Sequence, residues 1–339
     1  MTVTHKILEE TLVACLRIHG KFSEVIEAID AVKKASGDRI SGNPIIVHHW
    51  LVQDQNGHHM DVCIPVSEEF EEGKVKTIIL EKCEAMTTLH EGPYDTINDS
   101  YRAVVSETYS HGLPIAESGR EVFLNYKPDA PEETIIEIQE VLHDWDNRFS
   151  KQLGSILGEE GRERVLECYN DISYKSSREE RAQAVMCAID LLDEIATDDQ
   201  KFEILSQCAH VFPPELIEDM RLVYEETDNV DKVLEAMQTA GNYPKFRREG
   251  NILYSSKAPY NKDAIEKATT REEKMRAYCF CPMIKFHLDE VSGSFCYCGS
   301  GWARRLWEGI LEKSVRVDIM KSLTKGDDEC TFAVHLPTK

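Results

Sequence analysis

Hydrophobic and polar positions alternate most cleanly at Gly119-Arg120-Glu121-Val122-Phe123-Leu124-Asn125-Tyr126. A period of two predicts a strand, with Val122, Leu124 and Tyr126 on one face and Glu121, Phe123 and Asn125 on the other. One carboxylate therefore shares a face with an aromatic ring. Two readings of Glu121 stand: an ordinary strand glutamate pointing to water, or a buried acid in a ligand site.

An internal repeat bears on that choice. Gly20-Lys21-Phe22-Ser23, followed by Val25, Ala28, Ile29 and Val32, has a counterpart in Gly92-Pro93-Tyr94-Asp95, followed by Ile97, Ser100, Tyr101 and Val104. Pro44-Ile45-Ile46-Val47-His48-His49-Trp50 answers Arg120 to Tyr126, and Asp61-Val62-Cys63-Ile64 answers Glu137-Ile138-Gln139-Glu140. Each half reads strand, helix, strand, strand. A unit of this size cannot cover its own apolar face, so two copies are expected to pair their sheets and leave a cleft. Glu121, which takes the place of Ile45 in the other copy, would be the asymmetric acid of that cleft.

Around this repeat, Leu12 to Ile18 reads as the first strand, and Ser23 offers an N-cap to a helix running to about Ala35. Asp54-Gln55-Asn56-Gly57 supplies an Asn-Gly hairpin turn, Val75 to Leu89 a long strand, and Ile135 to Leu142 the closing strand. His48, His49, His58 and His59 flank the hairpin. Neighbouring strand residues point to opposite faces, so they are expected as surface histidines rather than as a metal site.

At His90-Glu91-Gly92-Pro93-Tyr94, Tyr101, Gly112, Arg120 to Leu124, and Pro131-Glu132-Glu133 with Ile136-Glu137-Ile138, the sequence resembles the GyrI-like small-molecule-binding domain over roughly residues 5 to 145. The resemblance implies that Glu121 lies in a ligand cavity and meets cationic or polarised ligands. It implies either an effector domain of a transcription regulator or a hydrolase of strained cyclopropane-containing toxins. One position departs: the aromatic residue late in the second helix, often Trp in that family, is Tyr109. Expected ligand-binding residues are Glu121, Phe123, Tyr94, Tyr101, Tyr109, Ile45 and Trp50. On the hydrolase alternative, Glu121 positions or activates water while Tyr109 or Tyr94 polarises the substrate carbonyl.

From Arg148 to Ala240 the periodicity becomes helical, with start signals at Ser176-Ser177-Arg178-Glu179, Thr197-Asp198-Asp199-Gln200, Pro213-Pro214-Glu215 and Asp228-Asn229, enough for four or five helices. Ala184, Cys187, Ala188, Leu191 and Leu192 mark a buried stripe in which Cys187, like Cys208, is a small core hydrophobe. After Gly241-Asn242-Tyr243-Pro244 the chain reads as strands at Cys279-Phe280-Cys281-Pro282, Ile284 to Leu288 and Ser294 to Gly299. A Cys-x-Cys on a strand directs both sulfurs to one face, so Cys279, Cys281, Cys296 and Cys298 are either zinc ligands or packed thiols. The one-residue spacing favours packed thiols and no resident metal. A helix follows through Trp302, Leu306, Trp307, Ile310 and Leu311, then a hairpin from Val315 to Ile319 and Lys325 to Pro337. Residues 150 to 337, at Tyr297-Cys298, Gly301-Trp302 and Gly326 to Phe332, resemble the L-2-amino-thiazoline-4-carboxylate hydrolase-like family, which implies small-molecule chemistry without fixing a reaction.

Composition narrows the classes. With 61 acidic against 39 basic residues the net charge is -22, which repels phosphate backbones and anionic lipid headgroups and points to a small molecule rather than nucleic acid or membrane as partner. No apolar run reaches the length of a membrane span, Met1 to Lys6 lacks a signal-peptide core, and no helix-turn-helix precedes the first strand; a cytoplasmic protein is expected. Eleven cysteines then read as free thiols or metal ligands rather than a disulfide framework. The expected fold is α+β: a tandem strand-helix-strand-strand domain over 1–146, then a helix-rich domain over 147–339 ending in a small antiparallel sheet. Its expected function is capture of a hydrophobic, cationic or electrophilic small molecule. The alternatives are a cyclopropanoid-type hydrolase and the sensing subunit of a transcription regulator.

Overall fold

Apolar alternation along the first 144 residues resolves into a nine-stranded antiparallel sheet with two helices. The computed structural model describes residues 1–20, 22–54, 57–127 and 129–337, apart from the side chains of 22–23, 51–54 and 57–58. The Asn-Gly turn and the Ser23 side chain fall outside the described residues, and the helix expected to be capped by Ser23 already begins at Phe22. The chain divides into two compact units, Met1–Asp144 and Trp145–Lys339.

The first unit runs β1 (Thr4–Leu8), β2 (Thr11–Gly20), α1 (Phe22–Ser36), β3 (Ile45–Asp54), β4 (Gly57–Pro65), β5 (Glu71–Glu72), β6 (Val75–Leu80), β7 (Cys83–Glu91), α2 (Ile97–Ser110), β8 (Ile115–Asn125) and β9 (Ile135–Leu142). The strand expected from Val75 to Leu89 is thus two, β6 and β7, which pair with different neighbours. Strand order is β1-β7-β9-β8-β3-β4-β2-β6-β5. The repeats are β2-α1-β3-β4 and β7-α2-β8-β9, joined edge to edge where β3 pairs with β8. α1 packs over β2 and β4, α2 over β7 and β9. One core forms beneath them, with Val25, Ala28, Ile29 and Val32 from the first helix and Ile97 and Val104 from the second, against Ile46, Val62, Ile136 and Ile138 of the sheet. The opposite face carries a smaller cluster of Val13, Cys15, Val47, Cys63 and Leu80, with Ile45 and Ile78 against it.

Two disulfides correct the expectation of free thiols alone. Cys15 and Cys63 are register partners on β2 and β4, which brings their Cα atoms to 4.2 Å and closes the bond. Cys168 bonds Cys187, so Cys187 lies on the exposed side of its helix rather than in the stripe. Val185, Ala188, Ile189 and Leu192 fill that stripe.

The second unit begins with five helices: α3 (Trp145–Leu166), α4 (Arg178–Ile195), α5 (Asp198–Ser206), α6 (Pro214–Thr227) and α7 (Val230–Ala240). Their starts obey local chemistry. Ser177 with Glu180 and Thr197 with Gln200 form capping boxes, Pro214 opens α6, and the Asn229 side chain accepts from the Asp231 N–H. There follow β10 (Arg247–Glu249), β11 (Ile252–Ser256), α8 (Lys262–Lys267), α9 (Arg271–Tyr278), α10 (Tyr297–Leu311), β12 (Arg316–Lys321) and β13 (Thr331–His335). The four short strands form one antiparallel sheet in the order β10-β11-β13-β12. Among the described residues no helix is long and apolar enough to cross a membrane.

α10 is the spine of this unit, with Leu306, Trp307 and Ile310 fully buried. It crosses α5 at Gly301, where an added Cβ would fall 1.9 Å from the Ser206 carbonyl oxygen. Since the obstruction is backbone, Gly301→Ala is expected to destabilise the unit by about 3 kcal/mol or more, read from urea unfolding. A variant as stable as the parent would show that the helices do not approach so closely. For the first unit, non-reducing peptide mapping should recover Cys15 linked to Cys63. Reduction should lower that unit's stability by about 4 kcal/mol at most for the 48-residue separation. Free thiols at both positions would refute the pairing.

Candidate functional site

The β3–β8 seam fixes what faces the space between the two helices. Ile46 pairs with Glu121, His48 with Gly119, and Ile45 with Val122. Across β8, Glu121 pairs with Ile138 and Gly119 with Glu140 of β9. Register partners share a face, so Ile46, His48, Glu121, Phe123, Ile138 and Glu140 lie on the helix-covered side. Glu121 is 1 % exposed and Phe123 3 %, whereas Leu124 is exposed. Glu121 is thus not a solvated strand glutamate.

Burying a carboxylate is costly unless hydrogen bonds replace its water. Here two phenols do so. Tyr101 of α2 donates to Oε1 at 2.7 Å, and Tyr94, on the turn before α2, donates to both oxygens at 3.2 and 3.1 Å. His48 Nε2 stands 3.1 Å from Oε1, at ion-pair range but off the line of a hydrogen bond. Both phenols have their acidity suppressed, first by burial and then by the Glu121 charge, so they stay protonated as donors.

Aromatic rings close over this acid. Trp50 stacks on His48 with centroids 5.0 Å apart, and Tyr101 meets Trp50 edge-on at 6.0 Å. Gly119 makes room for the indole: a Cβ there would lie 2.9 Å from Trp50 Cζ2. A bulge after Phe123 breaks the alternation. The ring of Tyr126, expected on the opposite face, therefore packs at 5.5 Å against Phe123.

Of the residues expected to line the cleft, the structure gathers Glu121, Phe123, Tyr94, Tyr101 and Trp50. Ile45 is a correction: one residue from Ile46 along β3, it faces the cluster around Cys15 and Cys63. Tyr109 lies two turns beyond Tyr101 on α2 and is not among the groups bonded to Glu121. Three residues escaped the sequence reading. His48, expected at the surface, is buried at 8 %. Its neighbour His49 does point the other way, where Asp61 accepts from its Nε2 at 2.9 Å and from Arg17 Nε and Nη2 at 2.7 Å. Asp61 is held well below the usual carboxylate range, the Arg17 and His49 contacts outweighing the opposing effect of burial. Gly119 and Glu140 are the others. Counting by twos from Glu121 would have found Gly119, but Glu140 needed the strand register.

In the second unit the strands expected at Cys279 to Cys281 and Cys296 to Cys298 are absent. Cys279 ends α9, which opens with a capping box between Thr270 and Glu273; Cys296 closes a single turn capped by Ser292, and Cys298 lies in α10. Caps outrank the short alternation. The thiols sit among apolar groups, and burial pushes that of Cys296 up to about 12 and that of Cys281 well above its usual range. Among the described residues no three of these sulfurs lie within 4.8 Å of one another.

Residues 1–139 match the GyrI-like small molecule binding domain, and residues 162–338 match a family of unknown function, DUF6144. The latter match gives no support to the aminothiazoline hydrolase-like resemblance. No curated protein matches the chain. Similar solved structures include the EcmrR C-terminal domain, at 22% identity, 42% of this chain, 96% of that chain and TM-score 0.38. Others are a hydrolase from Listeria innocua, at 13%, 41%, 91% and 0.31, and SAV2435 bound to tetraphenylphosphonium, at 12%, 43%, 97% and 0.32.

Glu140 makes stability depend on pH. It is 3 % exposed, and burial raises its carboxyl from 4.5 to about 7. Below pH 4.5 both folded and unfolded chains hold the proton. Between 4.5 and 7 only the folded chain does, so stability falls as pH rises, by about 3 kcal/mol at most across the interval. Glu140→Gln should remove this slope and leave the variant more stable than the parent at pH 8, read from urea unfolding at a series of pH values. Parallel curves for the two proteins would show an ordinary carboxylate.

Proposed function

Because this chain belongs to the DUF6144 family of unknown function through residues 162–338 and carries a GyrI-like small molecule binding domain ahead of it, we propose that its first unit captures a lipophilic, cationic small molecule at Glu121. The observation that carries this reading is a carboxylate 1 % exposed, held by two phenols and walled by Ile46, Trp50 and Phe123. Coulombic attraction is strong where water is excluded, and the faces of Trp50, Tyr94 and Tyr101 add cation–π attraction while their area favours an apolar body. The net charge of -22 supports a small molecule over nucleic acid as the partner.

A second reading has one favouring observation: Tyr94 stands at the carboxylate, so a general acid–base pair for opening a strained ring would be in place. Turnover separates the two, since a binder returns its ligand with unchanged mass.

Titrating lipophilic cations, tetraphenylphosphonium among them, against the parent and Glu121→Gln is the direct test. Loss of the charge should weaken binding by about 10- to 100-fold, or 1.4 to 3 kcal/mol. Tyr101→Phe, which removes only a supporting donor, should change it several-fold at most. Equal affinities for the parent and Glu121→Gln would take Glu121 out of the site, and a ring-opened product from a strained cyclopropane would move the reading to the hydrolase.

A further inference from the structure

The helix-covered face of the sheet holds a second carboxyl. Glu140 of β9 pairs in register with Gly119 of β8 and with Met86 of β7. Glu121 pairs with Ile138, two residues before Glu140, which makes the two glutamates diagonal neighbours on one face. Such positions are about 7–8 Å apart.

Unlike Glu121, Glu140 has no hydrogen-bond or ion-pair partner among the described residues, although it is 3 % exposed. Its β8 neighbour is a glycine, so no side chain from that strand covers it. Beyond Gly119 stands His48 of β3, and Tyr101 of α2 feels the charge of both Glu121 and Glu140. On the other side stands Met86 of β7, and beyond it His5 of β1, the register partner of Met86, hydrogen-bonds Glu84 at 2.6 Å. A buried carboxyl with only a structural role would be expected to have a donor. Resting on the reading of Glu121 above, we propose that Glu140 is the second ligand-binding acid of this cleft and that the ligand carries two basic centres, one for each carboxyl.

Raised by burial, Glu140 holds its proton at pH 6. A diammonium ligand that takes up both positions would make it bind as carboxylate, and its proton would pass to solvent. A monoammonium ligand seated away from Glu140 would leave that proton in place.

The experiment compares p-xylylenediamine, whose ammonium groups are held apart by one benzene ring, with benzylamine, by calorimetry at pH 6 in two buffers of different ionisation enthalpy. The parent should bind the diamine about tenfold more tightly than the monoamine and release close to one proton with the diamine only. Glu140→Gln should keep the benzylamine affinity, lose most of the diamine's advantage and release no proton. The proton count on the parent needs no variant, and a melt at pH 6 establishes that the variant is folded. An advantage that survives Glu140→Gln, diamine binding without proton release, or failure of both amines to bind would overturn the proposal. Tetraphenylphosphonium binding that depends on Glu121, with no preference for the diamine, would sink this inference and leave the first reading standing.

Discussion

The pairing of β3 with β8 is the constraint on which the site depends. Among the described residues it is the one strand pairing that joins the two repeats, and its register puts Ile46 beside Glu121 and His48 beside Gly119. Because side chains alternate with a period of two, a slip of one residue would turn Glu121 outward and bring Val122 in. Nothing in Glu121 itself prevents that. The register is held by the apolar residues around it: Ile46, Val62, Ile136 and Ile138 are all fully buried on the helix side, and none could move to the other face without exposing its area to water.

The same sheet carries two solutions to a buried acid. On the face away from the helices, Asp61 is matched by a forked Arg17 and by His49, a closed ion-pair network that holds its acidity high. On the helix face, Glu121 has only neutral phenols and an unaligned imidazole, while Glu140 has no bonded partner among the described residues. Phenols satisfy the geometry of a carboxylate without cancelling its charge. The first arrangement is complete in itself. The second, on the function proposed above, leaves negative charge in place for a cation to meet.

Much of this was legible in the sequence, and the failures have physical causes. The alternation at Glu121 to Phe123 and the helix stripes at Val25 to Val32 and Ile97 to Val104 mark burial because a half-buried strand and an amphipathic helix must show those periods. Helix starts at Ser177, Thr197, Pro214 and Asn229 are local, so sequence alone carries them. Register is not local. Aligning the repeats placed Ile45 at the position of Glu121, yet the residues that share a face are the ones that pair across the seam, and that is Ile46. Cys15 with Cys63, and Glu140 with Gly119, are likewise products of register. At Cys279 to Cys298 the error was different in kind: a two-residue alternation is weak against the caps at Thr270 and Ser292, which fix helical turns through specific hydrogen bonds.

If Glu121 is the ligand-binding acid proposed above, the aromatic side chains around it decide what kind of ligand is favoured. Tyr101 meets Trp50 edge-on and donates to Glu121, so on that reading a ligand reaching the acid must displace at least one phenol hydrogen bond. A hydrogen bond to a charged acceptor is worth about 1.5–3 kcal/mol, and that is the cost of entry. A neutral ligand of the right shape recovers only its apolar area, part of which the rings had already buried. A cation recovers the attraction of a charge kept out of water as well, and so gains against its neutral isostere by the whole of that difference. On the function proposed above, selectivity for charge would follow from a carboxylate that is buried and hydrogen-bonded by neutral phenols rather than from a bare one.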